Sequence, residues 1–543
     1  MYKNRQSLYI STFFADNPGS YGRALSRAGK GKGRRERENR ASDEGVCPFP
    51  CFYAIFHHMN NLPLSALFTD YYELTMAQGF YRQNKDTAAV FDVFFRRQPF
   101  GGGFSIFAGL DNLLEMLENF RFSAEDIAYL RAQGIFDESF LKYLESFKFS
   151  GDIYAMEEGS VIFPEEPVLR VHGNIVEAQI IEGLVLNQLN FQSLIATKAA
   201  RVWLASKKGS IMEFGLRRAQ GLDGALSATR ASYIGGASST SNVLAGKMYN
   251  IPVAGTMAHS WVMSSDSELE AFRAYAAIYP ENSVFLIDTY DTLNSGIKNA
   301  IIVGKELKEK GFNFGVRLDS GDINYLAKEV RKRLDEAGLE KAFITVSNEL
   351  NEEIIETLVS QNAPVDSWGV GTHMVTGGSE ASFTGVYKLA ARQNASNQMV
   401  ATMKISDTIK KTTNPGIKNV WRLFDEKGMA CGDILALENE TIEEGKTSRF
   451  YHPSGDFRQF DFKPAAVRQM LVLHMKGGKR LQSSTPEAAL KKARAVASAQ
   501  LEYLDASYKR ILNPHIYKVS VTEELKSFKM LFIKDNKDNI VQN

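Results

Sequence analysis

The sequence is short of several things at once. Only three cysteines occur in 543 residues, too few for a disulfide framework, and that scarcity points to a reducing compartment. No apolar run approaches the roughly 18 residues needed to cross a bilayer. Neither sign of charge is in excess: 64 Lys and Arg against 63 Asp and Glu leave a formal charge of +1. No whole-molecule field therefore draws the chain to nucleic acid or to a membrane surface. Histidine is also scarce, eight in all, so a histidine in a polar loop carries weight. What is present is a soluble, globular composition, 44% apolar and 23% charged, in a length that accommodates two or three domains. A cytoplasmic location is expected.

Residues 1–60 differ from the rest. The stretch 29–40 is dense in Lys, Arg and Gly, which predicts a disordered extension upstream of Met59. Asp16, Glu36 and Glu38 interrupt the basic pattern, which argues against a targeting peptide. Cys47 and Cys51 with His57 and His58 raise the question of zinc. Two intervening prolines, an odd spacing and the lack of a second cysteine pair speak against it.

Beyond that extension the pattern predicts a helix over 62–81, a strand over 88–96 and an amphipathic helix over 108–120. Ser123 reads as the cap of another helix, with Glu125 and Asp126 in its first turn. Residues 153–171 read as strands and 175–195 as one long apolar helix. From about Arg201 a rhythm of strand, polar loop and helix sets in. Short apolar runs at 211–214, 251–254, 284–287, 312–316, 343–346 and 368–370 are each followed by Gly and polar residues. Such runs suit buried parallel strands. About six units without a dinucleotide glycine fingerprint favour a parallel α/β barrel over an open doubly wound sheet, with the chemistry at the carboxyl ends of the strands. After about 385 the rhythm stops. Strands are expected at 385–391 and 421–424, an Ala-rich helix at 486–507 and a polar tail from Lys534.

The polar loops bring Arg217, Arg218, His259, Asp288, Arg317, Asp319, Asp322, Asn348, Gly371 and Thr372 to the strand ends. The most telling stretch is Arg317-Leu318-Asp319-Ser320-Gly321-Asp322. A guanidinium, two carboxylates and a glycine turn suit a phosphorylated sugar. Asp288, Asp319 and Asp322 are hard oxygen donors for hydroxyls or Mg²⁺, though an Asp that opens a helix also serves as its cap. Arg217 and Arg218 can grip a carboxylate or phosphate, and the apolar residues ahead of them suggest a partly enclosed site. Gly371 and Thr372 can let backbone N–H groups approach a phosphate. His259 has a nucleophilic nitrogen able to take a phosphoryl group, or its ring simply bonds to the backbone.

Six motifs in order, Thr69-Asp70-Tyr71-Tyr72, Glu213-Phe214-Gly215-Leu216-Arg217-Arg218, Gly255-Thr256-Met257-Ala258-His259-Ser260, Asp288-Thr289-Tyr290, Arg317 to Asp322 and Gly369-Val370-Gly371-Thr372, resemble the nicotinate phosphoribosyltransferases from about residue 61 on. The resemblance implies formation of nicotinate mononucleotide and diphosphate from nicotinate and phosphoribosyl diphosphate, coupled to ATP hydrolysis, in the salvage of nicotinate for NAD. It implies a phosphorylated His259 and a catalytic Arg317 and Asp319. Substrate contacts are implied for Asp70, Tyr72, Arg217, Arg218, Asp288, Asp322, Asn348, Gly371 and Thr372, with Mg²⁺ at Asp288 and Asp319. A homodimer is implied, with Tyr72 stacking on the pyridine ring from the partner subunit. The implied fold is an irregular α/β barrel over 196–385 and a mixed α+β domain built from 61–195 and 386–543. A nicotinamide-using enzyme and a non-catalytic nucleotide-binding regulator are the alternatives.

Overall fold

The computed structural model describes residues 64–84, 86–406, 412–453 and 458–542. The expected extension 1–60 and the Cys47, Cys51, His57 and His58 group lie outside the described residues.

A six-stranded parallel sheet carries the strand ends of interest. From edge to edge it runs Ser239–Thr240, Ser210–Glu213, Ser367–Val370, Phe343–Val346, Gly315–Leu318 and Val284–Leu286, and every neighbouring pair is parallel. Its strands are short and apolar because both faces are covered. Ile211, Phe285, Val316, Leu318, Ile344, Val346 and Val370 are all buried in one core cluster. Helices Ile297–Glu309 and Ile323–Glu336 complete that core. Ala300, Val303 and Leu307 on the first, and Ala327, Val330 and Leu334 on the second, recur at three- and four-residue spacing and are buried. Close packing is needed where the first of these helices starts. A Cβ built on Gly296 would lie 1.8 Å from the carbonyl oxygen of Ile287, so only glycine lets that turn sit against the strand end that presents Asp288.

The expected barrel is not closed. Among the described residues no ladder joins Ser239–Thr240 to Val284–Leu286. The apolar run 251–254 is not a strand either. Only Val253 forms an isolated parallel bridge, to Thr240, because Pro252 has no N–H to give to a ladder. The second strand is instead the pair Ser239–Thr240 beside Met212 and Glu213.

An antiparallel seven-stranded sheet takes strands from both halves of the chain, in the order Met399–Ala401, Gly385–Gln393, Ala88–Phe95, Leu169–Asn174, Asp152–Ala155, Val472–Lys476 and Lys479–Arg480. A third, mixed sheet of six strands is drawn from 418–521. The strands expected at 385–391 and 421–424 are both present. Ser123 caps Ala124–Ala132 in a reciprocal capping box with Asp126. The long apolar helix breaks at Ile181 and resumes as Glu182–Ala205, ten residues further than the pattern suggested. The first described helix is Tyr71–Asn84, starting after the Thr69-Asp70 turn. The expected polar tail is the last part of helix Glu523–Gln542.

Buried ion pairs tie these layers together. Arg422 and Asp433 are almost fully enclosed and meet at 2.6 Å. Arg422 also donates to Gln500 Oε1 at 2.9 Å and to the Val161 carbonyl at 2.8 Å. Removing one partner of such a pair strands a charge away from water. Arg422→Ala is therefore expected to cost about 3–5 kcal/mol, read as a lower denaturant midpoint. A shift worth less than about 1 kcal/mol, the scale of a surface ion pair, would count against this.

Candidate active site

Arg317 is the next-to-last residue of Gly315–Leu318, at the carboxyl side of the parallel sheet, and 15% of its side chain is exposed. Its Nε donates to Ser347 Oγ at 2.7 Å, one Nη to Thr256 Oγ1 at 2.8 Å and to the Met257 carbonyl at 3.4 Å, and the other Nη to Asp319 Oδ1 at 3.1 Å. Ser347 in turn donates to Asp319 Oδ1. The Phe214 ring lies under the guanidinium, 5.9 Å from its centre. Asp319 adjoins Asp288: the Asp319 N–H donates to Asp288 Oδ2 at 3.2 Å, and the Ser320 hydroxyl donates to the same oxygen. The other oxygen of Asp288, Oδ1, is buried and has no partner.

His259 opens the short helix His259–Met263. Its Nδ1 lies 3.1 Å from Thr289 Oγ1 and its Nε2 3.7 Å from Asp319 Oδ2. The side chain is 40% exposed, with Nε2 beside the Asp319 carboxylate. His259, Asp288, Arg317 and Asp319 thus form one cluster drawn from three separated stretches of sequence. Ser347, Thr256, Thr289 and Ser320 join it by their hydroxyls. Sequence reasoning passed these four over, because Ser and Thr are frequent at strand ends and nothing in the pattern marks one as a ligand of arginine.

The other expected residues lie apart from this cluster. Asp322 caps Ile323–Glu336, its Oδ1 accepting the Tyr325 N–H at 3.1 Å. Arg217 and Arg218 are exposed, and among the described residues neither side chain has a hydrogen-bond or ionic partner. The expected enclosure is absent because residues 215–218 form a turn, closed by the Arg218 N–H to the Gly215 carbonyl at 2.7 Å, that projects both side chains outward. Asn348 is exposed and has a positive φ of 114°. Gly371 ends Ser367–Val370 as expected, and Thr372 Oγ1 donates to Glu349 Oε1 at 3.2 Å. Asp70 and Tyr72 stand at the start of Tyr71–Asn84. The Tyr72 hydroxyl lies against Glu182, and burial followed by that carboxylate pushes the phenol above its ordinary value. Burial likewise raises Glu182. No hydrogen bond or ion pair among the described residues joins Asp70 or Tyr72 to the Arg317 cluster.

The donor set fits Mg²⁺. That ion takes one or two carboxylates and completes its shell with phosphate oxygens and water. The partnerless Oδ1 of Asp288 beside Asp319 is such a pair. Among the described residues no group of three or more His, Cys, Asp or Glu gathers as a self-sufficient metal cage.

Polar side chains gathered at the carboxyl ends of a parallel sheet mark an α/β enzyme whose catalytic groups sit on loops above a packed core. Comparison with known proteins fixes which. The chain matches three family models: the nicotinate phosphoribosyltransferase N-terminal domain over 67–190, the nicotinate phosphoribosyltransferase family over 210–433 and the nicotinate phosphoribosyltransferase C-terminal domain over 417–529. It is 42% identical to the nicotinate phosphoribosyltransferase of Bacillus subtilis, covering 88% of this chain and 96% of that one. With the human nicotinate phosphoribosyltransferase the identity is 34%, over 85% and 95% of the two chains. The crystal structure of human nicotinic acid phosphoribosyltransferase superposes with a TM-score of 0.74 at 32% identity, covering 85% of this chain and 99% of that one. The chain belongs to the nicotinate phosphoribosyltransferase family.

Ser347 offers a direct test of the cluster's design. Ser347→Ala leaves the mostly buried Arg317 Nε without its acceptor, a loss of about 1–3 kcal/mol. Placed in the site, that predicts a fall in kcat/KM of roughly five- to hundredfold, with the melting temperature within a few degrees of wild type. An unchanged kcat/KM would show that Arg317 does not depend on this bond.

Proposed function

We propose that the chain forms nicotinate mononucleotide and diphosphate from nicotinate and phosphoribosyl diphosphate, with coupled ATP hydrolysis, in the salvage of nicotinate for NAD. The observation that carries this reading is the single cluster of Arg317, Asp319, Asp288 and His259 at the carboxyl ends of the sheet. As diphosphate leaves C1 of the ribose, negative charge grows on the leaving group and positive charge on the ring. Preorganised charge aimed at those changes is usually the largest catalytic term. In this reading Arg317 binds the nicotinate carboxylate or the diphosphate, with Arg217 and Arg218 assisting. Asp288, Asp319 and Asp322 hold the ribose hydroxyls, Gly371 and Thr372 cradle the 5′-phosphate, and Asn348 contacts the substrate. Asp288 and Asp319 would hold Mg²⁺, which supplies charge neutralisation at the diphosphate when bound. The pyridine nitrogen carries a free lone pair, so no general base is needed to activate it.

His259 is the proposed phosphoryl acceptor. Its Nε2 forms the P–N bond as the bond from the γ-phosphorus to the ADP oxygen breaks. For Nε2 to present its lone pair, Nδ1 must carry the proton and donate to Thr289 Oγ1, which the 3.1 Å separation accommodates. Phosphorylation then favours a tightly binding conformation, and a tenfold gain in affinity corresponds to about 1.4 kcal/mol.

A homodimer is part of the proposal. Leu64, Phe68, Tyr71, Tyr72 and Met76 are exposed around the start of Tyr71–Asn84, between 38% and 61% each. An apolar and aromatic face of that kind suits contact with a second copy, and brings Tyr72 to the partner's site. Cytoplasmic location is proposed on the scarcity of cysteine, and among the described residues no helix is long and apolar enough to cross a membrane.

Diphosphate release from phosphoribosyl diphosphate and nicotinate, with and without ATP, tests the reading. Wild type is expected to turn over and to be stimulated by ATP. His259→Ala is expected to lose that stimulation and keep residual turnover. Stimulation that survives in the mutant would remove His259 from the phosphoryl step. Turnover of nicotinamide in place of nicotinate would overturn the assigned substrate, and binding of phosphoribosyl diphosphate with no release of diphosphate would indicate a regulator.

A further inference from the structure

Glu73 has no part in any role described above, yet its environment is unusual for an acid. It sits in the first turn of Tyr71–Asn84 and is completely buried. Isolated glutamates are almost never fully enclosed. Its Oε2 accepts the Thr69 hydroxyl, the Asp70 N–H at 3.2 Å and the Gly183 N–H at 3.4 Å. The Thr69 hydroxyl also lies 3.1 Å from the Ile180 carbonyl oxygen. One carboxylate oxygen therefore ties the turn carrying Asp70 to the amino end of the long helix Glu182–Ala205. That end of a helix favours a negative partner. The approach is close: a Cβ on Gly183 would lie 3.3 Å from Oε2. The second oxygen, Oε1, is buried without a partner. Burial raises the Glu73 carboxyl to about 7, against the opposing pull of its donors.

The neighbouring acid completes the arrangement. Glu182 is 9% exposed, accepts Gln179 Nε2 at 2.9 Å and faces the Tyr72 hydroxyl. The Glu73 tie thus fixes the turn just ahead of Tyr72, whose hydroxyl lies beside Glu182. Its ring stays 48% exposed. An exposed ring on a turn fixed in this way is presented for stacking on a planar ligand, and less of the turn has to be ordered on binding.

We infer that Glu73 is a positioning residue for recognition of the pyridine base: it touches no substrate and fixes the turn from which Asp70 and Tyr72 are presented. This rests on the reading that Tyr72 stacks on the base.

The test is steady-state kinetics on the full chain, with separate KM values for nicotinate and phosphoribosyl diphosphate, in wild type, Glu73→Leu, Glu73→Gln, Thr69→Val and Tyr72→Ala. Glu73→Leu is expected to raise the nicotinate KM about tenfold or more, the scale of one lost charged hydrogen bond, and to leave the other KM within about twofold. Glu73→Gln is expected to restore the nicotinate KM to within about threefold, because its carbonyl oxygen keeps all three acceptor bonds. A folded Glu73→Leu protein with unchanged nicotinate KM overturns the inference. So does an equal rise in both KM values, which is what loose packing alone would give. Should Glu73→Leu fail to fold, Thr69→Val decides: a severalfold rise in nicotinate KM alone supports the inference, and no rise overturns it. Tyr72→Ala separates the two levels. An unchanged nicotinate KM there removes the base-contact reading and the inference with it. A rise there, with none in Glu73→Leu, removes the positioning role only.

Discussion

Four neighbours hold the Arg317 guanidinium, and the withdrawal of water from it makes each of them necessary. At 15% side-chain exposure the charge has little solvent left, and an enclosed cation is costly unless paired and hydrogen-bonded. Asp319 supplies the countercharge from two residues further along the same strand end. Ser347 bridges arginine and aspartate from the end of the next strand. Thr256 and the Met257 carbonyl reach in from the loop that leads to His259. Three separate stretches are thereby locked to one planar group. His259 inherits its position from this, because its helix starts two residues after Met257.

Asp288 shows the complementary situation. Its Oδ2 is well supplied, by a backbone N–H and a hydroxyl, while its Oδ1 has nothing. A buried acceptor left empty costs about 1–3 kcal/mol. The turn at Gly296 packs so closely on Ile287 that the strand end cannot easily turn the carboxylate outward. A buried acceptor of this kind is one that a bound ligand or ion would satisfy. The same cluster therefore contains one charge that is fully satisfied and one that is not, and the pair has both a fixed half and a receptive half.

Most of the parallel sheet was readable because its strands are contiguous apolar runs followed by polar residues. The runs at 284–287, 343–346 and 368–370 fall on observed strands, while the run at 312–316 leads into a strand that starts at Gly315 and extends through Arg317 to Leu318. The exceptions have physical causes. Ser239–Thr240 is two residues long and polar, and only the edge of Ser210–Glu213 makes it a strand. The run at 251–254 looks like a strand by composition, but Pro252 removes the ladder donor. Within the site, Arg and Asp were conspicuous because charge at the end of an apolar run demands a reason. The hydroxyls of Ser347, Thr256 and Thr289 were not, since their role exists only once distant loops meet. Glu73 was invisible for a related reason: in sequence it is an ordinary acid of a first helical turn, and only tertiary burial distinguishes it.

The long helix Glu182–Ala205 gives the two groups of site residues a mechanical relation. Near its amino end it receives the Glu73 carboxylate at Gly183. Fifteen residues on, about 22 Å along the axis, Lys198 pairs with Glu352 Oε2 at 2.6 Å, and Arg201 with Glu352 Oε1 at 2.9 Å. All three of those side chains are nearly inaccessible to solvent. Glu352 opens the helix that follows strand Phe343–Val346, and Ser347, the bridge between Arg317 and Asp319, is the next residue after that strand. The long helix thus joins the Asp70 and Tyr72 turn, at its amino end, to the start of the helix that follows strand Phe343–Val346, near its carboxyl end. A helix of this length bends only gently, and breaking the buried pairs at its far end would leave unpaired charge in the core. No hydrogen bond or ion pair among the described residues joins the Tyr72 turn to the Arg317 cluster, and the long helix connects the two regions instead.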